Sequence, residues 1–425
     1  MTRVDVRPGV SGIGGPGTRG AGIGLALLGT AFTVITLLTT PSNPLPAGRP
    51  DPVRDFTAAQ IARAEAFDAA ISPPSWLSLG VTLIVAGLLV LTPLGARLTG
   101  RLRAWPSVVI GVFVVSAVPL VLKWPLGMWY ESRLRQYGLS TQDWGSWTAD
   151  RLKSFAISTA LLALTVLVVV ALARRWRRWW IPAAAAAFGL TVATSFAYPV
   201  LIEPVFNDFT SLRAGPLRTE LLAMAERDGV PVQDVLVADA SRRTTALNAY
   251  VSGFGATRRI VVYDTLLKAP PKEVELVVAH ELGHAKTGDV LYGTLIGGLG
   301  GAAGVCLLYL IVSSRFVRRR TALPSVADPR AAGLLVGLIT LGAFLSQPMQ
   351  NAVSRAIEAR ADLHALTLTH DPGTFVAMQK RLAVTNISDV TPPIVEYVLY
   401  ASHPTAPERI AMARSFASRQ GLSKP

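Results

Sequence analysis

The sequence predicts a mainly α, polytopic membrane protein: seven transmembrane helices carrying a small α+β domain that the last two spans divide in two. Three observations predict it. Of 425 residues, 51% are hydrophobic and only 16% charged, with a mean hydropathy of +0.41, whereas soluble domains carry roughly a quarter charged residues. Seven apolar runs are long enough to cross a hydrocarbon core about 30 Å thick. The stretches 203–289 and 350–425 break that pattern and read as soluble polypeptide,. The net charge of +14 could suit a nucleic acid. The Arg clusters, however, fall in short segments between apolar runs, as topogenic loops do, so the expected partner is the lipid bilayer and no nucleic acid. Cys306 is the only cysteine and lies in an apolar stretch, which excludes a disulfide framework and a thiolate metal site.

Residues 1–20, rich in Gly, Arg and Pro, are expected to be disordered,. Residues 21–202 hold five spans. The first, Ala21 to Thr40, has no convincing small-residue cleavage site after it and reads as an anchored helix rather than a cleaved signal,. The others fall at 76–96, 105–123, 155–173 and 179–201, flanked by Arg, Trp or Pro as membrane interfaces favour,. Residues 203–289 form the first part of the soluble domain. It opens on Phe206-Asn207-Asp208-Phe209-Thr210, continues through an amphipathic helix from Pro216 to Asp228, and contains β-branched strands at Val235 to Ala238 and Arg259 to Tyr263,. Asn248 to Gly253 reads as a third, edge strand. Residues 290–349 hold spans six (290–313) and seven (331–348), on either side of the basic loop Arg315 to Arg320. Residues 350–425 complete the soluble domain.

The chemistry centres on His280-Glu281-Leu282-Gly283-His284. No proline interrupts the helical reading from Val274, and histidines four apart share a face, so both imidazoles can reach one ion. Glu281 can take a proton from a water that the metal activates and pass it to a leaving amine, the general base and acid role in a zinc peptidase. A catalytic zinc needs a third protein ligand. Asn351, Arg355, Glu358 and Asp362 recur at helical spacing as one polar stripe,; Glu358 is the expected third ligand, and Asp362 one turn on can orient a ligating imidazole. His364, six residues from Glu358, points elsewhere and reads as a packing or surface histidine, and His370 reads as an exposed turn residue,. His403 precedes a helix that Thr405 and Glu408 can open as a capping box, and from such a fixed position it can donate to a developing oxyanion,.

Together these motifs resemble the M48 peptidases, in particular the CAAX prenyl protease 1 (Ste24-like) branch, over nearly the whole chain. The resemblance rests on Phe206 to Thr210 with Gly215-Pro216-Leu217, on Asn248-Ala249-Tyr250 and Thr257 to Leu267, and on His280 to His284. It continues through Asn351, Ser354-Arg355, Glu358, Ala361-Asp362, Ser402-His403-Pro404 and Glu408-Arg409. It implies a ring of seven helices enclosing a chamber, capped by a split zincin-like α+β metallopeptidase domain that holds one Zn2+. It implies a peptide laid along an edge strand at Asn248, Ala249 and Tyr250, His403 as oxyanion stabiliser, and Arg355 and Arg409 as structural or substrate-positioning groups. The implied function is an integral-membrane zinc metalloendopeptidase whose relatives trim the C-terminal tripeptide of prenylated proteins, acting as a monomer on a peptide or protein, including a lipid-modified one. The alternatives are a quality-control or peptide-processing protease without prenyl specificity, and an inert seven-helix transporter or scaffold. An intramembrane site-2 protease fits less well, because the zinc motif precedes its span instead of lying in it. Arg far outnumbers Lys and the chain is rich in Ala and Gly, which points to a GC-rich bacterial source and a plasma-membrane location. The Arg-bearing loops 97–104, 174–178 and 314–330 lie on the side opposite the zinc motif. The positive-inside rule therefore places the motif outside, whereas the eukaryotic relatives face theirs to the cytosol; the reading here follows the charges.

Overall fold

The computed structural model describes residues 16–42, 48–100, 104–253, 258–423 and 425. The first half comprises α1 (Pro16–Thr39), α2 (Pro52–Asp55), α3 (Ala58–Leu91), α4 (Leu94–Leu98), α5 (Val108–Gln136), α6 (Trp144–Arg175), α7 (Trp180–Ala197) and α8 (Glu203–Phe206). Then come β1 (Phe209–Ser211), α9 (Pro216–Arg227), β2 (Asp234–Ala238), β3 (Ala249–Ser252), β4 (Arg259–Tyr263) and α10 (Pro271–Thr287). The chain closes with α11 (Asp289–Ser313), α12 (Arg315–Thr321), α13 (Ala332–Thr369), α14 (Pro372–Thr385), α15 (Ile394–Tyr400) and α16 (Ala406–Arg419).

Among the described residues seven helices are long and apolar enough to cross a membrane, namely α1, α3, α5, α6, α7 continued through α8, α11 and α13. Helices α3, α5, α6, α7 and α11 pack in succession; α13 packs against α3 and α11, and α1 lies along α11, so the spans close into a ring. Several spans outrun their expected bounds. Residues 1–15 of the expected disordered segment lie outside the described residues, but Pro16 to Gly20 are helical, since proline is tolerated in a first turn. Helix α3 starts at Ala58, not 76, because Thr57 and Gln60 form a capping box there, and it continues through Pro73 and Pro74. Its N-terminal turns therefore stand above the expected span, against the soluble domain. The Arg-rich loops gather at the opposite end: Thr99 Oγ1 donates to the Arg330 carbonyl (3.4 Å) and Arg174 Nη1 to that of Ala327 (3.3 Å). Gly95 and Gly333 let the chain cross itself at that end, where a Cβ on Gly333 would sit 2.7 Å from the Gly95 Cα.

The soluble domain has a four-stranded sheet in the order β1-β2-β4-β3. β2 and β4 run parallel, and β1 and β3 flank them antiparallel. β1 begins at the end of the Phe206 to Thr210 stretch, which the sequence reading did not identify as a strand. β3 is an edge, as expected, although it begins at Ala249 rather than Asn248. The buried faces of the sheet, α9, α10, α14 and α16 share one apolar core that includes Leu221, Ile260, Val262, Val278, Leu282, Phe375 and Ile410.

Two junctions decide where the chemistry sits. Gly288 adopts φ 70°, serving at once as C-cap of α10 and N-cap of α11. A left-handed residue there turns the chain from the motif helix into span six with no linker, a conformation glycine reaches without steric cost. The second junction joins span seven to the soluble segment, whose expected start at residue 350 falls inside a helix. Helix α13 runs unbroken for 38 residues through Pro348, so the span and the polar stripe are one rigid rod.

Candidate metal centre

Helix α10 presents His280 and His284 on one face because they are four residues apart, and α13 crosses it to present Glu358. His280 Nε2 lies 3.1 Å from Glu358 Oε2 and 3.2 Å from His284 Nε2, and His284 Nε2 lies 3.6 Å from Glu358 Oε1. The potential ligand atoms of the three residues all fall within 4.8 Å of one another. Both rings are fixed from behind: His280 Nδ1 bonds Asp362 Oδ1 at 2.8 Å and His284 Nδ1 bonds Asp289 Oδ2 at 2.9 Å. A carboxylate at each Nδ1 keeps the proton there and leaves each Nε2 lone pair facing inward. Two such lone pairs and a carboxylate oxygen converging at hydrogen-bond distance repel one another unless a cation lies among them. This donor set therefore fits a metal ion of the zinc type.

Burial acts against charge on His280, but Asp362 and Glu358 outweigh it and push the ring up to about 10. The field at this point favours a cation, and a dication would take the place of the proton. Glu281 projects beside the cluster, and burial pushes its carboxyl up from the usual range, in the direction suited to a group that exchanges protons near neutrality. Asp362 is fully buried. Arg409 Nε donates to its Oδ2 at 2.7 Å and Nη2 to its Oδ1, so α16 clamps the carboxylate that clamps His280. The Gln379 amide, with its oxygen turned inward, accepts from Arg409 Nε and Nη2, both at 3.1 Å.

The loop 401–405 brings His403 to the same place. Its Nε2 lies 3.2 Å from Glu358 Oε2, and its side chain is 55% exposed towards the cavity. Thr405 and Glu408 form the expected capping box, and Tyr397 Oη donates to Glu408 Oε2 at 3.0 Å. The polar stripe on α13 is thus divided by task. Glu358 and Asp362 face the cluster. Asn351 Nδ2 donates to the Val398 carbonyl (3.1 Å), and Arg355 Nη1 donates to those of Tyr397 (3.1 Å) and Ala401 (2.6 Å), so both hold α15 and the His403 loop. His364 packs as expected: its Nε2 bonds Asp228 Oδ2 at 2.9 Å and its ring lies against Gly283. His370 is the exposed C-cap of α13.

A cavity of about 930 Å3 opens at the cluster. Asn248, His280, Glu281 and His403 line it, with Ser72, Trp76 and Tyr130 of α3 and α5 on the membrane side. The edge strand has a definite polarity. The Tyr263 amide donates to the Asn248 carbonyl at 3.0 Å, so by antiparallel alternation Asn248, Tyr250 and Ser252 turn their peptide groups to β4, and Ala249 and Val251 turn theirs outward. On this strand Tyr250 therefore pairs its main chain with β4, and Val251 turns its own outward,. Thr257, part of the motif stretch after β3, lies outside the described residues.

Sequence reading missed Asp289, Arg360 and Gln379. Asp289 carried a weak signal, as an acid five residues beyond His284. The other two carried none, because their roles depend on which helices meet.

Comparison with known proteins matches residues 211–417 to the model of peptidase family M48 and residues 75–208 to the CAAX prenyl protease N-terminal model, described as five membrane helices. The chain is 35% identical to the uncharacterized metalloprotease YhfN of Bacillus subtilis, over 71% of this chain and 72% of that one. It is 31% identical to the CAAX prenyl protease 1 homolog of Oryza sativa over 55% of each chain, and 28% identical to CAAX prenyl protease 1 of Saccharomyces cerevisiae over 50% of each. The matched stretch thus spans about half the length of the rice and yeast proteins. The crystal structure of S. mikatae Ste24p superposes with a TM-score of 0.74, covering 92% of this chain and 98% of that one at 20% identity, a likeness of fold.

Proposed function

The chain belongs to peptidase family M48 and is an integral-membrane, multi-pass metallopeptidase, and from that premise we propose that it is a zinc endopeptidase with one ion held by His280, His284 and Glu358. The observation that carries the zinc reading is the convergence of those three ligand atoms within 4.8 Å, each imidazole backed by its own carboxylate. A zinc ion bound there supplies Lewis acidity to a water and to the scissile carbonyl. The residues do the rest. Ala249 and Val251 hold an extended peptide by main-chain bonds, which give affinity without demanding sequence. Glu281 takes a proton from the attacking water and delivers it to the departing amine. His403 donates to the oxygen on which charge develops, and Asn351, Arg355 and the Thr405–Glu408 box keep it in place. Asp362 and Arg409 fix the His280 ring.

The peptidase domain is assigned to residues 203–289 and 350–425, with α13 shared between it and the membrane part, and the chain is proposed to act as a monomer. The names of the rice and yeast relatives suggest a substrate whose C-terminus carries a prenylated cysteine. The Arg-over-Lys composition favours a bacterial plasma membrane and, with it, a second reading: cleavage of membrane proteins or peptides without prenyl specificity. The gathering of the Arg-rich loops at the end away from the cluster supports a metal centre facing the non-cytoplasmic side,. The test is cleavage of matched peptides with and without a C-terminal isoprenyl cysteine by the native chain and by Glu281→Gln. Hydrolysis is expected to fall at least about 100-fold in the variant while zinc is retained. An undiminished rate in the variant sinks the peptidase mechanism, and equal native rates on the two peptides remove prenyl specificity.

A further inference from the structure

Arg360 lies on α13 two residues beyond Glu358 and faces away from the cavity, and the mechanism above gives it no task. Its guanidinium joins three elements. Nη2 donates to Asp289 Oδ1, and the other oxygen of that carboxylate bonds His284 Nδ1 at 2.9 Å. Nη1 donates at 3.2 Å to the carbonyl of Thr39, the last residue of α1. Nε is buried with no acceptor among the described residues, so these two bonds alone fix where the guanidinium sits. Thr39 offers one of the last-turn carbonyls that a helix leaves without an internal partner, at the negative end of the helix dipole. It is a natural seat for an arginine and exists only while α1 is docked. Asp289 is in turn the first residue of α11, against which α1 packs along the membrane; Phe32 of α1 lies against Gly300 of α11, where an added Cβ would sit 3.3 Å from the Phe32 ring.

We propose that Arg360 and Asp289 are positioning residues that make the grip of the metal centre depend on the seating of the first membrane helix. The inference rests on the zinc reading above. With α1 seated, Arg360 is held between Thr39 and Asp289, Asp289 holds the His284 ring, and His284 Nε2 faces Glu358 and His280. When α1 shifts, Arg360 loses one of its two anchors and its hold on Asp289 Oδ1 slackens, which leaves that oxygen to Thr287 Oγ1 (2.9 Å) and loosens the aim of the imidazole. Carboxylates behind metal-bound histidines typically account for ten- to hundred-fold in metal affinity, so the loss is measurable without any substrate.

The experiment titrates zinc into the metal-free, full-length chain in detergent against a chromophoric chelator, and records the melting temperature of the metal-free protein alongside. Arg360→Gln and Asp289→Asn are each expected to weaken zinc at least about tenfold with little change in metal-free melting. Gly300→Leu, a wedge under Phe32 remote from the ligands, is expected to weaken zinc in the native background and to add nothing in Arg360→Gln. A native chain that takes up no zinc overturns the metal-centre reading and this inference with it. Native binding with unchanged affinity in Asp289→Asn and in any folded Arg360→Gln overturns the link alone, as does a lowered melting temperature without loss of affinity. An unchanged affinity in Gly300→Leu, or an equal further loss in the double variant, removes the first helix from it.

Discussion

Gly283→Ala tests whether the spacing of α10 and α13 sets the metal site. Two effects oppose each other. Alanine inside a helix is favoured over glycine by about 1 kcal/mol, so the isolated helix gains. The new Cβ, however, would lie 3.1 Å from the His364 Cβ and 3.2 Å from its ring carbons, where carbon atoms prefer about 3.5–4.0 Å. His364 cannot swing clear, since its Cβ is tied to the α13 backbone and its ring is bonded to Asp228. The helices must part by roughly 0.5 Å to restore contact. Overpacking of this kind costs about 1–3 kcal/mol, so the net change in stability is a loss of at most about 2 kcal/mol. The larger effect falls on the site, because α10 carries both histidines and α13 carries Glu358, and ligand distances tolerate only about 0.2 Å. Zinc affinity is therefore expected to fall about tenfold, measured by chelator competition, while metal-free melting moves by a few degrees at most. An affinity within twofold of native would refute the reasoning, because the helix spacing would then not govern the ligand set.

Arg409→Met leaves the fully buried Asp362 with His280 as its main donor. Breaking one side of a buried pair costs about 3–5 kcal/mol, and the metal-free protein should melt several degrees lower at a fixed scan rate; a shift under one degree would show that Asp362 is satisfied otherwise. Arg355→Gln frees the Tyr397 and Ala401 carbonyls and loosens the His403 loop, so kcat should fall more than KM changes, and the reverse split would assign Arg355 to substrate binding. Val251→Pro deletes an outward amide of β3 while sparing its pairing to β4, as prolines at sheet edges do. KM for an extended peptide should rise several-fold with zinc affinity intact, and an unaltered KM would move the substrate off this edge.

Much of the site was legible because its residues lie close in sequence. His280, Glu281 and His284 share one helix turn, and Glu358 and Asp362 another, so the 3.6-residue period places each set on a face before any fold is known. Thr405 and Glu408 were legible for the same reason, since a capping box is a three-residue relation. Asn351 and Arg355 belonged to the same stripe, but their partners are carbonyls of α15 and the loop after it, more than forty residues away, and carbonyls leave no mark on a sequence. The continuity of α13 was not legible because a hydropathy change is visible along a chain whereas a helix running across it is not; Pro348 looks like a stop and is accommodated within the helix,.

By itself, the sequence determined the seven spans, the strand-bearing insert between the fifth and sixth, and the two helix faces that carry His280, His284 and Glu358, because apolar length and helical periodicity are local properties. Only the tertiary structure decided that span seven and Glu358 are one rod, that Ala249 and Val251 form the open edge of β3, and that Arg360 ties the end of the first helix to Asp289 behind His284. Each of these depends on which elements meet and with what orientation, and that is set by packing over hundreds of residues rather than by neighbours in the chain.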